Sequence, residues 1–285
     1  VRKPALVVVG LASLLTLAGF GGALHRAADT LALARPLFGL IALAGFVAAS
    51  RTSWRIGFAA VGLAALASVG PQLLPQSAGG DLRVYSKNLW AGNRDPAALV
   101  ADIEAAAVDA VFLQEVSDRN VLALDLLRAS FPHQHLCRFQ WATRIAVLSR
   151  LPFDGTPTCS KQFAMAAAPV RVEGDRVWLV STHLPWPWPY DNAENETAAE
   201  TLLESLDAPA VIAGDFNAFP WTWRVRRLAT ASNTRAAGPV RPTLFLRQVP
   251  LPIDLAFAPG GGSLERRPQL GSDHFGIVAD LALNP

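Results

Sequence analysis

The chain has 285 residues, room for one large domain or for a domain with an appendage. It is 51% hydrophobic and nearly charge-balanced, with 25 Lys and Arg against 23 Asp and Glu. That balance excludes a strongly basic nucleic-acid binder, and two cysteines are too few for a disulfide-stapled scaffold or a cysteine-based zinc site.

Charge is distributed unevenly. The first eighty residues hold six cations (Arg2, Lys3, Arg26, Arg35, Arg51, Arg55) and a single acid, Asp29; from 81 onward there are 19 basic and 22 acidic residues. The basic character therefore belongs to the N-terminal part. Three apolar runs explain the split, at about 5–24, 31–50 and 56–74. At 1.5 Å per residue each can cross a hydrocarbon core of about 30 Å, so 1–76 is read as a membrane region with three transmembrane helices. A buried helical subdomain, or a signal peptide followed by core helices, is the alternative. Arg2 and Lys3 precede the first run, and Arg51 and Arg55 separate the second from the third. The positive-inside rule then puts the N-terminus in the cytoplasm and, after three crossings, the C-terminal domain on the extracytoplasmic (periplasmic or extracellular) side. Cys137 and Cys159 both fall in that exported part, where they either form a disulfide or serve as two small buried hydrophobes.

Residues 77–80 read as a linker, and the soluble domain spans 81–285. Strand-type runs alternate with helical ones: "LRVYSKNL", a helix at 96–107, "AVFLQEV", a helix at 119–130, "RIAVLSR", "APVRVEG", "RVWLVSTHL", a polar helix at 193–206, "APAVIAGDFN", "IDLAFAP" and "HFGIVADLAL". Strands this apolar need cover, so two packed sheets with helices outside are expected; a doubly wound parallel sheet is the alternative, weakened by the lack of a Gly-rich phosphate loop after the first strand.

Several of these strands end in residues that an apolar interior does not tolerate alone. Asn88, Gln114 and Glu115, His183, Asp215 and Asn217, Asp254, and Ser272, Asp273 and His274 all occupy such positions. Singly, each has an ordinary explanation as a turn former, a helix cap or a structural histidine. Collectively they mark one rim of a sheet, where strand ends converge on a cleft. Carboxylates gathered there require a cation, and oxygen donors select Mg²⁺ or Mn²⁺ over zinc. His183 and His274 add proton transfer, a combination suited to hydrolysing a phosphate ester.

Asn88, "LQEV", "STHL", "GDFNAFP", "IDLAFAP" and "GSDHFGIVADL", in this order, resemble the endonuclease/exonuclease/phosphatase superfamily. The resemblance covers the soluble domain and none of the apolar runs. It implies an α/β fold, a four-layered sandwich of two mixed sheets flanked by helices, and a metal-dependent hydrolase. Carried over residue by residue, it makes Glu115, with Asn88, the principal metal site and Asp273 a further ligand. It makes Asp215 and Asn217 the pair that handles the attacking water and the phosphate, His274 with Asp254 a His–Asp pair, and His183 a phosphate contact or leaving-group acid.

Departures from subfamily patterns narrow the substrate. "PLPIDLAF" lacks the Trp, Cys and Arg of inositol polyphosphate phosphatases, and "STHLPWPWPY" lacks the Tyr and Asn of abasic-site endonucleases. A phosphodiester remains, with a nuclease-like enzyme acting on nucleic acid as the leading reading and a sphingomyelinase-like one acting on a lipid head group as the alternative. A silent binding domain is the reading from a different class. Trp186, Trp188 and Tyr190 follow His183, while Phe219, Trp221 and Trp223 follow Asn217. These aromatics, with the four tryptophans as substrate-binding candidates, suit a membrane interface, base stacking or plain loop packing.

Overall fold

The computed structural model describes residues 2–74, 80–140, 142–190 and 192–284. The expected linker at 77–80 therefore lies, but for Gly80, outside the described residues.

The apolar N-terminal runs are helical: α1 (Arg2–Gly19), α2 (Arg26–Leu31), α3 (Arg35–Ala48) and α4 (Thr52–Leu73), with 3-10 turns at Gly21–Ala23 and Ala32–Ala34. Two helical stretches are long and apolar enough to cross a membrane, Arg26–Ala48 with mean hydropathy 2.0 and Thr52–Leu73 with 1.6. The first expected span, 5–24, falls short of the same measure, because its helix over Lys3–Gly19 stops at Gly19 and the chain turns at Gly21–Ala23. The second begins earlier than expected, since "HRAADT" is not a loop but a capped helix running into α3. Small residues let α3 and α4 touch; a Cβ at Gly62 would collide with the Gly39 carbonyl and Leu43. Leu6 and Val9 of α1, Ala49 and Phe58 cluster at one end of the bundle, next to Arg51 and Arg55.

The remaining elements are β1 (Leu82–Asn88), α5 (Pro96–Ala105), β2 (Ala110–Val116), α6 (Leu122–Leu126), β3 (His133–Arg138), β4 (Arg144–Ser149), β5 (Thr158–Cys159), β6 (Met165–Val172), β7 (Asp175–His183), α7 (Ala193–Glu204), β8 (Ala210–Asp215), α8 (Trp223–Ala231), β9 (Arg235–Gly238), β10 (Leu244–Leu246), β11 (Val249–Leu251), β12 (Asp254–Ala258), β13 (Gly262–Arg267) and β14 (Gly276–Leu281). The helix expected at 119–130 shrinks to five residues.

Twelve strands follow one order, β3-β4-β2-β1-β14-β13-β9-β12-β8-β7-β6-β5, with parallel and antiparallel pairs mixed. This rules out the doubly wound alternative. The order folds over at the short β13–β9 pairing, and the two halves share an apolar layer in which Val84, Phe112 and Val147 meet Ala168, Leu179, Val211 and Ala256. Leu99 and Ile103 of α5, Leu124 of α6 and Leu127 just after it cover the outer face of one half; Ala199, Leu202, Val225 and Leu228 of α7 and α8 cover the other. The fold is thus helices, sheet, sheet, helices. At the edges opposite the fold-over, β3 and β5 are tied by a Cys137–Cys159 disulfide. Of the two uses open to these cysteines, the structure has the bridge.

Candidate active site

Strand register assembles the site. In the second half β7 and β8 run parallel with His183 beside Asp215, and β12 runs antiparallel to β8 with Asp254 on the other flank of Asp215. Three of the sequence candidates therefore stand in one row. In the first half Asn88 pairs with Gln114, which places Glu115 one residue further along the same rim. The register of β2 against β4 shifts between Leu113 and Val116, and Glu115 adopts φ 54°. This bulge turns a carboxylate that regular pleating would direct elsewhere. Gly214 has a matching steric reason, because any Cβ there would be driven into the Thr182 carbonyl oxygen of the neighbouring strand.

The halves meet through polar side chains. Asn88 Nδ2 donates to Glu115 Oε1 and to Asp215 Oδ2, both at 3.0 Å, and its Oδ1 accepts the Trp90 N–H at 2.9 Å. Gln114 Nε2 donates to Ser181 Oγ at 3.1 Å, a second bond between the halves. Asp215 Oδ1 accepts the Asn217 N–H at 2.8 Å, while Asn217 Nδ2 donates to the Leu184 carbonyl at 2.8 Å. His274 Nδ1 lies 2.8 Å from Asp254 Oδ2, leaving Nε2 3.8 Å from Asp215 Oδ2. His183 Nε2 lies 3.5 Å from the same Asp215 oxygen and 4.0 Å from Glu115 Oε1. Asp215 and Asp254 are buried, whereas Glu115 is partly open.

Electrostatics separates the two histidines. Burial, reinforced by His274, pushes His183 down to about 3, so its ring is neutral; its buried Nδ1 has no hydrogen-bond partner among the described residues. Burial also works against charge on His274, but Asp254 and Asp215 outweigh it and raise its pKa. For Asp215 burial dominates and raises the pKa, against the pull of His274, Asn217 and Asn88.

The donor set fits a hard divalent cation. Buried Asp215 and Asp254 with Glu115 form an acidic group in a drying environment, and Glu115 alone among them keeps an accessible carboxylate. Each Glu115 oxygen accepts one hydrogen bond, from Asn88 Nδ2 or from the Ala91 N–H, which fixes the carboxylate without filling its acceptor capacity. Asn88 orients Glu115 through Nδ2, and its Oδ1, which accepts the Trp90 N–H, keeps one acceptor site. Asp273 is exposed beside the group, 3.5 Å from Ser272 Oγ. Asp215, Asp254 and His274 also present ligand-type atoms within 4.8 Å of one another. A second such group, His135 with Cys137 and Cys159, is explained by the disulfide, which uses both sulfurs.

The aromatics divide. Trp186, Trp188 and Trp223 are partly exposed on the rim. Trp221 is only 4% exposed, and its indole Nε1 donates to the Ala32 carbonyl at 2.8 Å. Its ring is packed between the domain and the apolar helices and so is not available to a substrate, unlike the expectation for it.

Three supporting residues were not singled out from the sequence. The Phe139 ring stacks on His183 with centroids 4.0 Å apart, from a turn that carries no motif. Lys87 is buried, and its Nζ donates to the His274 carbonyl at 2.8 Å and to that of Pro268 at 3.2 Å. Asp29 accepts the N–H groups of Trp223 at 2.5 Å and Arg224 at 3.0 Å. A lysine inside an apolar strand and a lone acid in eighty residues were the available signals for the last two.

The family model described as Endonuclease/Exonuclease/phosphatase family matches residues 85–274. Among solved structures, an endonuclease/exonuclease/phosphatase family protein from Leptotrichia buccalis is similar at 13% identity, with a TM-score of 0.58 over 70% of this chain and 99% of that one. TDP2 from D. rerio, solved with a single-strand DNA product, is similar at 17% identity and TM-score 0.54, over 70% and 97%. A beta toxin from Staphylococcus aureus is similar at 14% and 0.52, over 70% and 100%. At these identities the likeness is one of fold. No curated protein matches in sequence.

Proposed function

Since the chain belongs to the endonuclease/exonuclease/phosphatase family, we propose that it is a membrane-anchored, divalent-metal-dependent phosphodiesterase. The observation that supports this most is the hydrogen-bonded convergence of Glu115, Asn88, Asp215 and Asn217 with the His274–Asp254 pair and His183 at one rim. Glu115 would hold Mg²⁺ or Mn²⁺, with Asp273 as a further ligand. Bound there, the ion supplies Lewis-acid stabilisation of charge on the phosphoryl oxygens.

The chain's own groups do the rest. Asp215, whose oxygens are fixed by Asn217 and Asn88, orients the attacking water and takes its proton. Asp254 fixes the His274 ring so that Nε2 faces the reacting phosphate and offsets its charge. His183, neutral and stacked on Phe139, donates a hydrogen bond to a non-bridging oxygen. Asn217 braces the strand exit through Leu184.

The helices of 1–76 serve as the anchor and 81–285 as the catalytic domain. Arg51 and Arg55 gather at the bundle end away from that domain, and the Cys137–Cys159 bridge suits an oxidising compartment. Both support an extracytoplasmic catalytic domain.

The test uses the full chain in detergent micelles with Mg²⁺ and bis(p-nitrophenyl) phosphate. Turnover is expected, with a loss of about a hundredfold or more on adding EDTA or in Glu115→Gln. Turnover indifferent to both would defeat the proposal, and calorimetry with Mn²⁺ should show binding that Glu115→Gln weakens.

A further inference from the structure

The apolar helices do more than trail from the catalytic domain; they are bonded to the rim that carries the site. Asp29 accepts two backbone N–H groups at the start of α8. Arg35 Nη1 donates to the Trp221 carbonyl at 3.2 Å and its Nη2 to that of Gly19 at 2.7 Å. Thr30 Oγ1 donates to the Trp188 carbonyl at 3.1 Å, and the Val240 N–H to the Gln72 carbonyl at 2.9 Å. Ala32 and Val69 share an apolar cluster with Phe219, Trp221, Leu244 and Ile253. Asp29 and Arg35 would be costly inside an apolar run, and docking at this end of the bundle gives both their partners.

The docked loops are the ones that leave His183 and Asn217. The β10–β11 hairpin belongs to the same seam: Leu244 bridges to His274, and Thr243 accepts from the Phe275 N–H at 2.7 Å and, through Oγ1, from the Asp254 N–H at 3.1 Å. One end of this hairpin thus touches the helix bundle and the His274–Asp254 pair. Its far end exposes Phe245, Leu246 and Val249, each by about half, on either side of a turn formed by the exposed Arg247 and Gln248. Trp188 and Trp223 line a cavity of about 180 Å³ at the helix ends with Leu24 and His25, whose other walls carry the charged Asp29, Glu196 and Arg224.

Together these put exposed aromatic and aliphatic side chains beside the site, on the side where the apolar helices dock. Nucleic acid would call for free cations there instead. Three of the arginines nearest the aromatic loops are paired, Arg26 and Arg224 with Glu196 and Arg227 with Glu200; Arg226 is exposed, and the soluble part as a whole has more acids than bases.

We propose that the substrate is a membrane lipid whose head group is joined through a phosphodiester, taken from the leaflet next to the docked rim, with the β10–β11 tip seated in that leaflet. The proposal rests on the phosphodiesterase reading above. Water adds to phosphorus, one P–O ester bond breaks, and the proton lost by water is balanced by one gained by the leaving alkoxide. Phosphate stays on one of the two products.

The full chain is reconstituted into vesicles of phosphatidylcholine, phosphatidylethanolamine, phosphatidylglycerol and sphingomyelin with Mg²⁺. Hydrolysis is compared with that of glycerophosphodiesters bearing the same head groups, single- and double-stranded DNA, and bis(p-nitrophenyl) phosphate. At least one vesicle lipid should be cleaved about tenfold faster than its water-soluble counterpart and faster than DNA. The triple variant F245A/L246A/V249A should lose about tenfold on that lipid while its bis(p-nitrophenyl) phosphate turnover, the control for folding, stays within about twofold. Preference for DNA, or inert lipids alongside an active soluble diester, would overturn the lipid assignment alone, and an unchanged lipid rate in the triple variant would overturn the seating of the β10–β11 tip. Inertness toward every diester would overturn it together with the phosphodiesterase reading.

Discussion

Replacing Asp29 by alanine tests whether the apolar helices and the catalytic domain are one mechanical unit. The first N–H groups of any helix lack intrahelical partners, and α8 has no side-chain cap of its own. Asp29 meets two of them from 194 and 195 residues away. A cap is worth about 1 kcal/mol, and stranding a buried donor such as the Arg224 N–H adds about 1–3 kcal/mol. Taking about 2 kcal/mol as the low end, local opening of the loop and the first turn of α8 becomes about thirtyfold more frequent. Hydrogen–deuterium exchange of peptides spanning 219–231, measured on the full chain in micelles, should accelerate by about that factor. Peptides from α5, on the far side of the molecule, should not change. Asp29→Asn keeps an acceptor and should fall between wild type and alanine. Unchanged exchange at 219–231 in Asp29→Ala, or an equal rise in α5, would refute the seam as described.

Three further outcomes are expected. Asp254→Asn keeps the shape but removes the charge that orients His274, so kcat should drop by about 10²- to 10⁴-fold with KM little altered; a change within about threefold would dismiss the His–Asp pair. Gly214→Ala forces a methyl into the Thr182 carbonyl between two paired strands and should cost about 1–3 kcal/mol in denaturant unfolding, whereas unaltered stability would mean that β7 and β8 are not so closely paired. The double variant C137S/C159S opens a loop of sequence separation 22 and should lower stability by about 3 kcal/mol, an effect reproduced in wild type by reductant. Coincident unfolding curves for wild type and variant would show that the bridge contributes nothing.

That these strand ends gather at one rim was legible in the sequence because strand-end chemistry is local. An apolar run followed by Asp215 and Asn217, or by His183, announces a strand emerging at a polar rim, and β7, β8, β12 and β14 lie where those runs are. The domain's outline as sheets covered by helices followed from the same alternation. Weak or short elements did not, because β5, β9 and β13 hold their place through pairing rather than pattern. Only the tertiary structure decided how the pieces act on one another. It moved Trp221 from the substrate side to the seam, joined Cys137 to Cys159, stacked Phe139 on His183, and turned Glu115 inward by a bulge. It also brought Asp29 and Arg35 to the loop after Asn217, giving the charges in an apolar run their partners. Sequence patterns report what a residue needs, such as burial, a turn or a partner; which distant group meets that need depends on strand order and on the fold-over that brings the two halves together.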